Sequence, residues 1–158
     1  MEQQLDRLDR RLLDLLQRDG RLAVAELARR IHLSPTPCLE RVRRLERLGY
    51  ITGYAAHLNP EPLGLRLLAF VQVQLDRTTP DVFDVFKRVM IGLDEVLECH
   101  MVAGGFDYLV KLRVPDMDAY RRFLGERLAT IPGVQQTHTY FVMEEVKSTH
   151  LLAVPPSA

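Results

Sequence analysis

A guanidinium group grips a phosphate or the edge of a guanine, and positions 36–47 concentrate four of them. They are Arg41, Arg43, Arg44 and Arg47, with Glu40 among them and the Thr36 hydroxyl just ahead. Projected at about 100° per residue, Thr36, Glu40, Arg43, Arg44 and Arg47 share one arc, and Arg41 sits on its shoulder. Cys38, Leu39, Val42, Leu45 and Leu48 occupy the opposite arc. A helix with an apolar back and an arginine-rich front suits the major groove of DNA, where arginines reach base edges or phosphates. A solvated face is the plainer alternative, and Glu40–Arg44 has the i,i+4 spacing of ordinary helix support. Three arginines on one face exceed that need.

Other reactive side chains form no catalytic pattern. The chain has no Gly-rich phosphate loop and no G-x-S-x-G elbow. His32, His57, His100, His138 and His150 are dispersed without metal-ligand spacing, so neither a metal nor a cofactor is expected. Cys99 and His100 are strand neighbours that point to opposite faces and cannot pair. Cys38 falls on the apolar arc of its helix. An enzyme is not expected. Two cysteines far apart give no disulfide framework, no apolar run approaches the roughly 20 residues that cross a bilayer, and Met1–Asp9 lacks an apolar leader. These features predict a cytoplasmic protein.

The arginine-rich segment must be held by something. Leu5, Leu8, Leu12, Leu15 and Leu16 recur at helical spacing, and Asp19-Gly20 is expected to end that helix with glycine in the left-handed cap. Val24, Leu27, Ala28 and Ile31 mark a short second helix, which Ala23 caps poorly. Ser34 is the expected N-cap of the third, with Pro35 at its first position and Gly49 at its end. Helix, tight turn and arginine-bearing helix make a helix-turn-helix. Tyr50 to Leu58 is expected to be a short hairpin or strand, a wing. Residues 1–60 carry 11 arginines against 8 acidic residues, while 61–158 carry 10 basic and 13 acidic residues, so the zero net charge is a cancellation between halves.

The turn-rich Asn59–Gly64 marks a boundary. Beyond it, Leu67–Leu75 is a predicted strand, Pro80–Gly92 a helix, Glu95–Ala103 and Phe106–Val114 strands joined by a tight turn at Gly104-Gly105, Pro115–Ile131 a helix capped by Asp116, and Val134–Val146 a long last strand. The order βαββαβ is the ferredoxin-like arrangement. The fold class is therefore α+β: a winged helix-turn-helix over 1–60, a ferredoxin-like domain over 61–150, and a loose tail over 151–158. Two helices cover one sheet face. The other, carrying Val71 and Val73 or Phe70 and Gln72, needs a partner, so a homodimer is expected.

The segment Leu33-Ser34-Pro35-Thr36-Pro37-Cys38-Leu39-Glu40-Arg41-Val42-Arg43-Arg44-Leu45-Glu46-Arg47 closely resembles the recognition segment of the Lrp/AsnC (feast/famine) transcription regulators. Glu98-Cys99-His100, Phe106-Asp107-Tyr108, Arg113–Met117, Pro132-Gly133-Val134 and Val142–Lys147 match the same family, and the resemblance spans nearly the whole chain. It implies double-stranded DNA as partner, with contacts from Ser34, Thr36, Glu40, Arg41, Arg43, Arg44 and Arg47. It also implies an amino-acid effector, leucine or another apolar one, and dimers that assemble into tetramers, octamers or larger rings in the nucleoid. The family's effector site lies between dimers at the turn that here is Gly104, Gly105, Phe106, Asp107 and Tyr108. Met101, Met117, Tyr140, Phe141 and Val142 match positions linked to leucine response. A leucine-responding relative has Asp at Gly105 and a smaller aliphatic residue at Phe141. The alternative function is an architectural, DNA-wrapping protein without effector.

Overall fold

The computed structural model describes residues 5–155. The first residues of the charged start and the end of the tail, residues 156–158, lie outside the described residues. The chain forms two compact units, one from the residues up to His57 together with those from Lys147 onward, the other Leu58–Val146.

In the first unit α1 (Arg7–Arg18), α2 (Val24–Arg30) and α3 (Pro35–Arg47) close over Leu12, Leu15, Leu16, Leu27, Ala28, Ile31, Cys38, Val42 and Leu45. α1 starts in a reciprocal capping box between Asp6 and Asp9. Its end differs from expectation. The cap is Asp19 in extended conformation, and Gly20 has no positive φ. Gly20 serves instead as a gap, because a Cβ there would come within 2.9 Å of the Tyr54 ring. Both later helices end in Schellman bonds. After α3, Gly49 takes φ 77°, and Tyr50 N–H reaches Leu45 O at 3.0 Å. After α2 the same left-handed place is filled by His32, φ 58°, with Leu33 N–H on Ala28 O at 2.9 Å. Ser34 precedes α3 as expected, but its hydroxyl makes no capping bond.

Residues 51–58, expected as a short hairpin or strand, form no strand. An extended segment becomes a strand only beside a hydrogen-bonding neighbour. Here Tyr54 packs by Gly20 and donates its hydroxyl to Glu46 Oε1 at 3.0 Å. Of the tail expected to be loose over 151–158, the described residues Leu152 and Pro155 are hydrogen-bonded to α1. The Gln17 amide donates to Leu152 O and accepts from Leu152 N–H, both at 2.9 Å, supplying what one residue of a strand would supply. Arg10 donates to Pro155 O at 2.5 Å, and His150 stacks on His57 at 3.8 Å.

In the second unit β1 (Leu67–Leu75), β2 (Val96–Met101), β3 (Tyr108–Val114) and β4 (Val134–Phe141) form an antiparallel sheet of order β2-β3-β1-β4. α4 (Pro80–Ile91) and α5 (Met117–Arg122) pack on the face made by Ala69, Val71, Val73, Val110, Leu112 and Val114. Asp116 caps α5 through Ala119 N–H at 2.8 Å, and the helix then widens into a π-turn over Phe123–Leu128, which buries both end residues. β4 stops five residues short of expectation. Val142 N–H still bonds Leu68 O, but β1 begins at Leu67 and offers nothing further to pair with. The other sheet face presents Leu68, Phe70, Gln72 and Gln74, with Leu109, Lys111 and Arg113 opposite in register; Phe70 and Gln72, not Val71 and Val73, lie on it.

Candidate DNA interface and effector turn

Thr36, Glu40, Arg43 and Arg47 stand exposed on α3, and Ser34 is exposed at its start. Among the described residues Arg43 and Arg47 make no ion pair, and the expected Glu40–Arg44 pair does not form. Arg41 and Arg44 turn the other way, onto α1. Arg41 Nη1 donates to Asp6 Oδ2 at 2.6 Å and to Asp9 Oδ1 at 2.8 Å, while Arg44 Nη2 donates to Asp9 Oδ2. Asp9 is fully buried, which an ionised carboxylate tolerates only with such partners. Partial burial alone would raise the Asp6 carboxyl, but the Asp9 N–H and Arg41 outweigh it and hold it below the usual value. Of the four arginines expected to reach DNA, Arg43 and Arg47 are exposed, whereas Arg41 and Arg44 are half-buried and bonded to Asp6 and Asp9. A signal was present in the sequence: Asp9 interrupts the stripe Leu5, Leu12, Leu16 at a position helical spacing reserves for an apolar residue. On α2, Glu26 pairs with Arg29 at 2.7 Å and Arg30 at 2.6 Å, and these bonds pull its carboxyl down to about 2.

The turn between β2 and β3 is wider than the expected two-residue hairpin. Val102 N–H bonds Asp107 O at 3.0 Å, four residues intervene, and neither Gly104 nor Gly105 takes a positive φ. Asp107 explains the width. Its N–H bonds Val73 O at 3.0 Å and its Oδ2 accepts from Leu75 N–H at 2.7 Å, so it is tied to β1 and the chain must loop out before it. Space is open where a Cβ would project from either glycine. Phe106 is half-buried. Tyr108 is buried against Phe86, ring centroids 4.4 Å apart, and its hydroxyl has no partner among the described residues. Burial, with the Cys99, Asp107 and Asp84 charges, pushes that phenol up. Exposed Met101 joins Tyr108 on a cleft of about 410 Å³ between α4 and β2. Burial also pushes the Cys99 thiol up, away from nucleophilic use.

The remaining effector candidates lie elsewhere. Tyr140 and Phe141 pair with Phe70 and Ala69 near the beginning of β1, and Val142 continues to Leu68. Phe141 meets Tyr120 edge to face at 4.9 Å. Met117 opens α5, just after Val114, the partner of Leu67. The turn is anchored at Val73 and Leu75. At about 3.3 Å per residue, the two groups are separated by roughly 17 Å along β1. One chain therefore does not gather them into one site.

Comparison with known proteins decides the family. Residues 5–52 match the winged helix-turn-helix DNA-binding family, and residues 68–152 match the Lrp/AsnC ligand binding domain. This chain belongs to the Lrp/AsnC family. It is 57% identical to the leucine-responsive regulatory proteins of Escherichia coli and Serratia marcescens over 150 residues, 95% of this chain and 92% of each relative. Its fold is similar to a Neisseria meningitidis transcriptional regulator solved with L-Met, TM-score 0.90 at 39% identity, covering 94% of this chain and 96% of that one. An AsnC family regulator from Agrobacterium tumefaciens gives TM-score 0.89 at 35% identity over 94% and 97% of the two chains. The Lrp/AsnC chain is accordingly a DNA-binding transcription regulator that responds to amino acids. Among the described residues no helix is long and apolar enough to cross a membrane, and no group of three or more His, Cys, Asp or Glu could hold a metal.

Proposed function

We propose that this regulator reads DNA with the exposed face of α3 and responds to leucine or another apolar amino acid at a site completed between copies of the chain. On α3, Arg43 and Arg47 are the charged readers, and Ser34, Thr36 and Glu40 supply hydrogen-bonding groups around them. The observation that carries the effector reading is the split just described. Met101 and the Gly104–Tyr108 turn lie toward one end of β1, and Met117 with Tyr140–Val142 lie toward the other. A second dimer can bring the missing half. A zwitterionic ligand needs an acceptor for its ammonium and donors for its carboxylate. Asp107 keeps one carboxylate oxygen outside its bond to Leu75, and the open backbone at Gly104 and Gly105 admits close approach. Binding then alters assembly by its affinity difference between assembly states. The protein acts in the cytoplasm, on the nucleoid.

Calorimetry with leucine, methionine, asparagine and alanine, paired with light scattering, tests this. Leucine or methionine should bind and shift the oligomer distribution. Asp107→Asn keeps an acceptor for Leu75 N–H while removing the charge, so it should abolish binding and leave the melting temperature nearly unchanged. Wild-type affinity in that variant removes Asp107 from the site.

A further inference from the structure

The cluster between α1 and α3 holds two carboxylates, Asp6 and Asp9, and two guanidiniums, Arg41 and Arg44, so its net charge is zero. Asp9 is fully buried and uses both oxygens, with Asp6 N–H adding a bond at 3.1 Å. The Arg41 and Arg44 side chains keep only 28% and 34% of their surface open. The bonds from Asp6 and Asp9 also raise the Arg41 pKa, so its charge is fixed in place. Arg43 and Arg47, on the same helix, have no such bonds among the described residues.

We propose that Asp6 and Asp9 are specificity-determining residues that act as built-in stand-ins for DNA phosphate, occupying Arg41 and Arg44 so that these cannot grip the backbone of any duplex. The inference rests on α3 being the reading helix. Carboxylate and phosphate oxygens compete for the same guanidinium donors. Phosphate contacts carry no sequence information, and they supply most non-specific affinity through counterion release. A guanidinium already neutralised at hydrogen-bond distance releases no counterion. Tying two of four arginines to α1 thus lowers the sequence-blind part of binding and leaves Arg43 and Arg47 to set the contrast between sites. It also explains why the arginine count of this segment overstates its charge toward DNA.

The test uses the full chain and a fluorescent duplex of random sequence, titrated across salt concentrations, with circular dichroism to confirm folding. Asp6→Asn is the first variant, because asparagine still caps α1. It should bind the random duplex more tightly, and its slope of log K against log salt should steepen by up to about 0.9, the increment that one added phosphate contact brings. Arg41→Gln should leave the slope unchanged, whereas Arg43→Gln or Arg47→Gln should flatten it or weaken binding. An unchanged or shallower slope in Asp6→Asn overturns the masking role. So does a flattened slope in Arg41→Gln. If neither Arg43→Gln nor Arg47→Gln alters binding, the reading helix itself is wrong and both conclusions fall.

Discussion

At the scale of single residues, the exposed arginines carry the clearest expectation. Arg47→Ala should weaken DNA binding by about 1–3 kcal/mol at one base position if it reads a base, and uniformly across sequences if it meets phosphate; a mutated-duplex series read by anisotropy separates the two. His32 carries a different one. A non-glycine residue in the left-handed region costs about 1–2 kcal/mol, offset by the extra freedom glycine has when unfolded. His32→Gly should therefore stabilise the protein by a few tenths to about 1 kcal/mol in urea unfolding. Helical projection puts Arg43 and Arg47 on the outward face, where both are exposed, because outward positions follow from period alone. It gives no sign of the carboxylates that Arg41 and Arg44 bond, because those lie 32–35 residues away and periodicity along α3 holds no record of them.

At the scale of elements, β1 and α4 were legible almost to the residue, since alternation in one and an apolar stripe in the other are strong signals. Helix ends and turns were less so. Gly20 looked like a cap and is a slot for Tyr54; Gly104-Gly105 looked like a two-residue turn and is part of a wider loop set by Asp107. The π-turn at Phe123–Leu128 left no mark in composition. Gly133 shows how strict such places can be: its φ is 92°, and a Cβ would lie 2.5 Å from Val82 Cγ1. Gly133→Ala should cost about 2–4 kcal/mol by adding backbone strain to overpacking, visible as a fall in melting temperature. The Tyr54 contact adds a pH signature. Burial first, then its bond to Glu46, push the phenol up to about 12. An unfolded tyrosine ionises near pH 10, so the fold favours the neutral form. The stabilisation is complete below about pH 10 and is lost as pH rises toward 12. Ultraviolet titration of wild type against Tyr54→Phe should lose one late-ionising phenolate.

At the scale of the whole molecule, the sheet face bearing Leu68, Phe70 and Leu109 invites a second copy. Phe70→Glu should convert dimers into monomers in light scattering without unfolding the sheet, and a two-fold dimer should space its recognition helices by about 34 Å or a multiple of it. The ferredoxin-like order was readable from the alternation of elements, because each connection is short. The strandless course of residues 51–58 and the anchoring of His150, Leu152 and Pro155 were not, since both depend on what lies beside an extended segment and not on the segment itself. That tail changes the order in which the protein can be made. The DNA-binding unit opens the sequence, yet Gln17, Arg10 and His57 wait for His150, Leu152 and Pro155. At roughly 5–20 residues per second on a ribosome, the whole second unit must be translated before the first acquires its last contacts, a delay of roughly 5–20 s. The part that comes first in the sequence is finished last, and a chain stopped after Val146 would keep every strand of its sheet while leaving its DNA-binding unit incomplete.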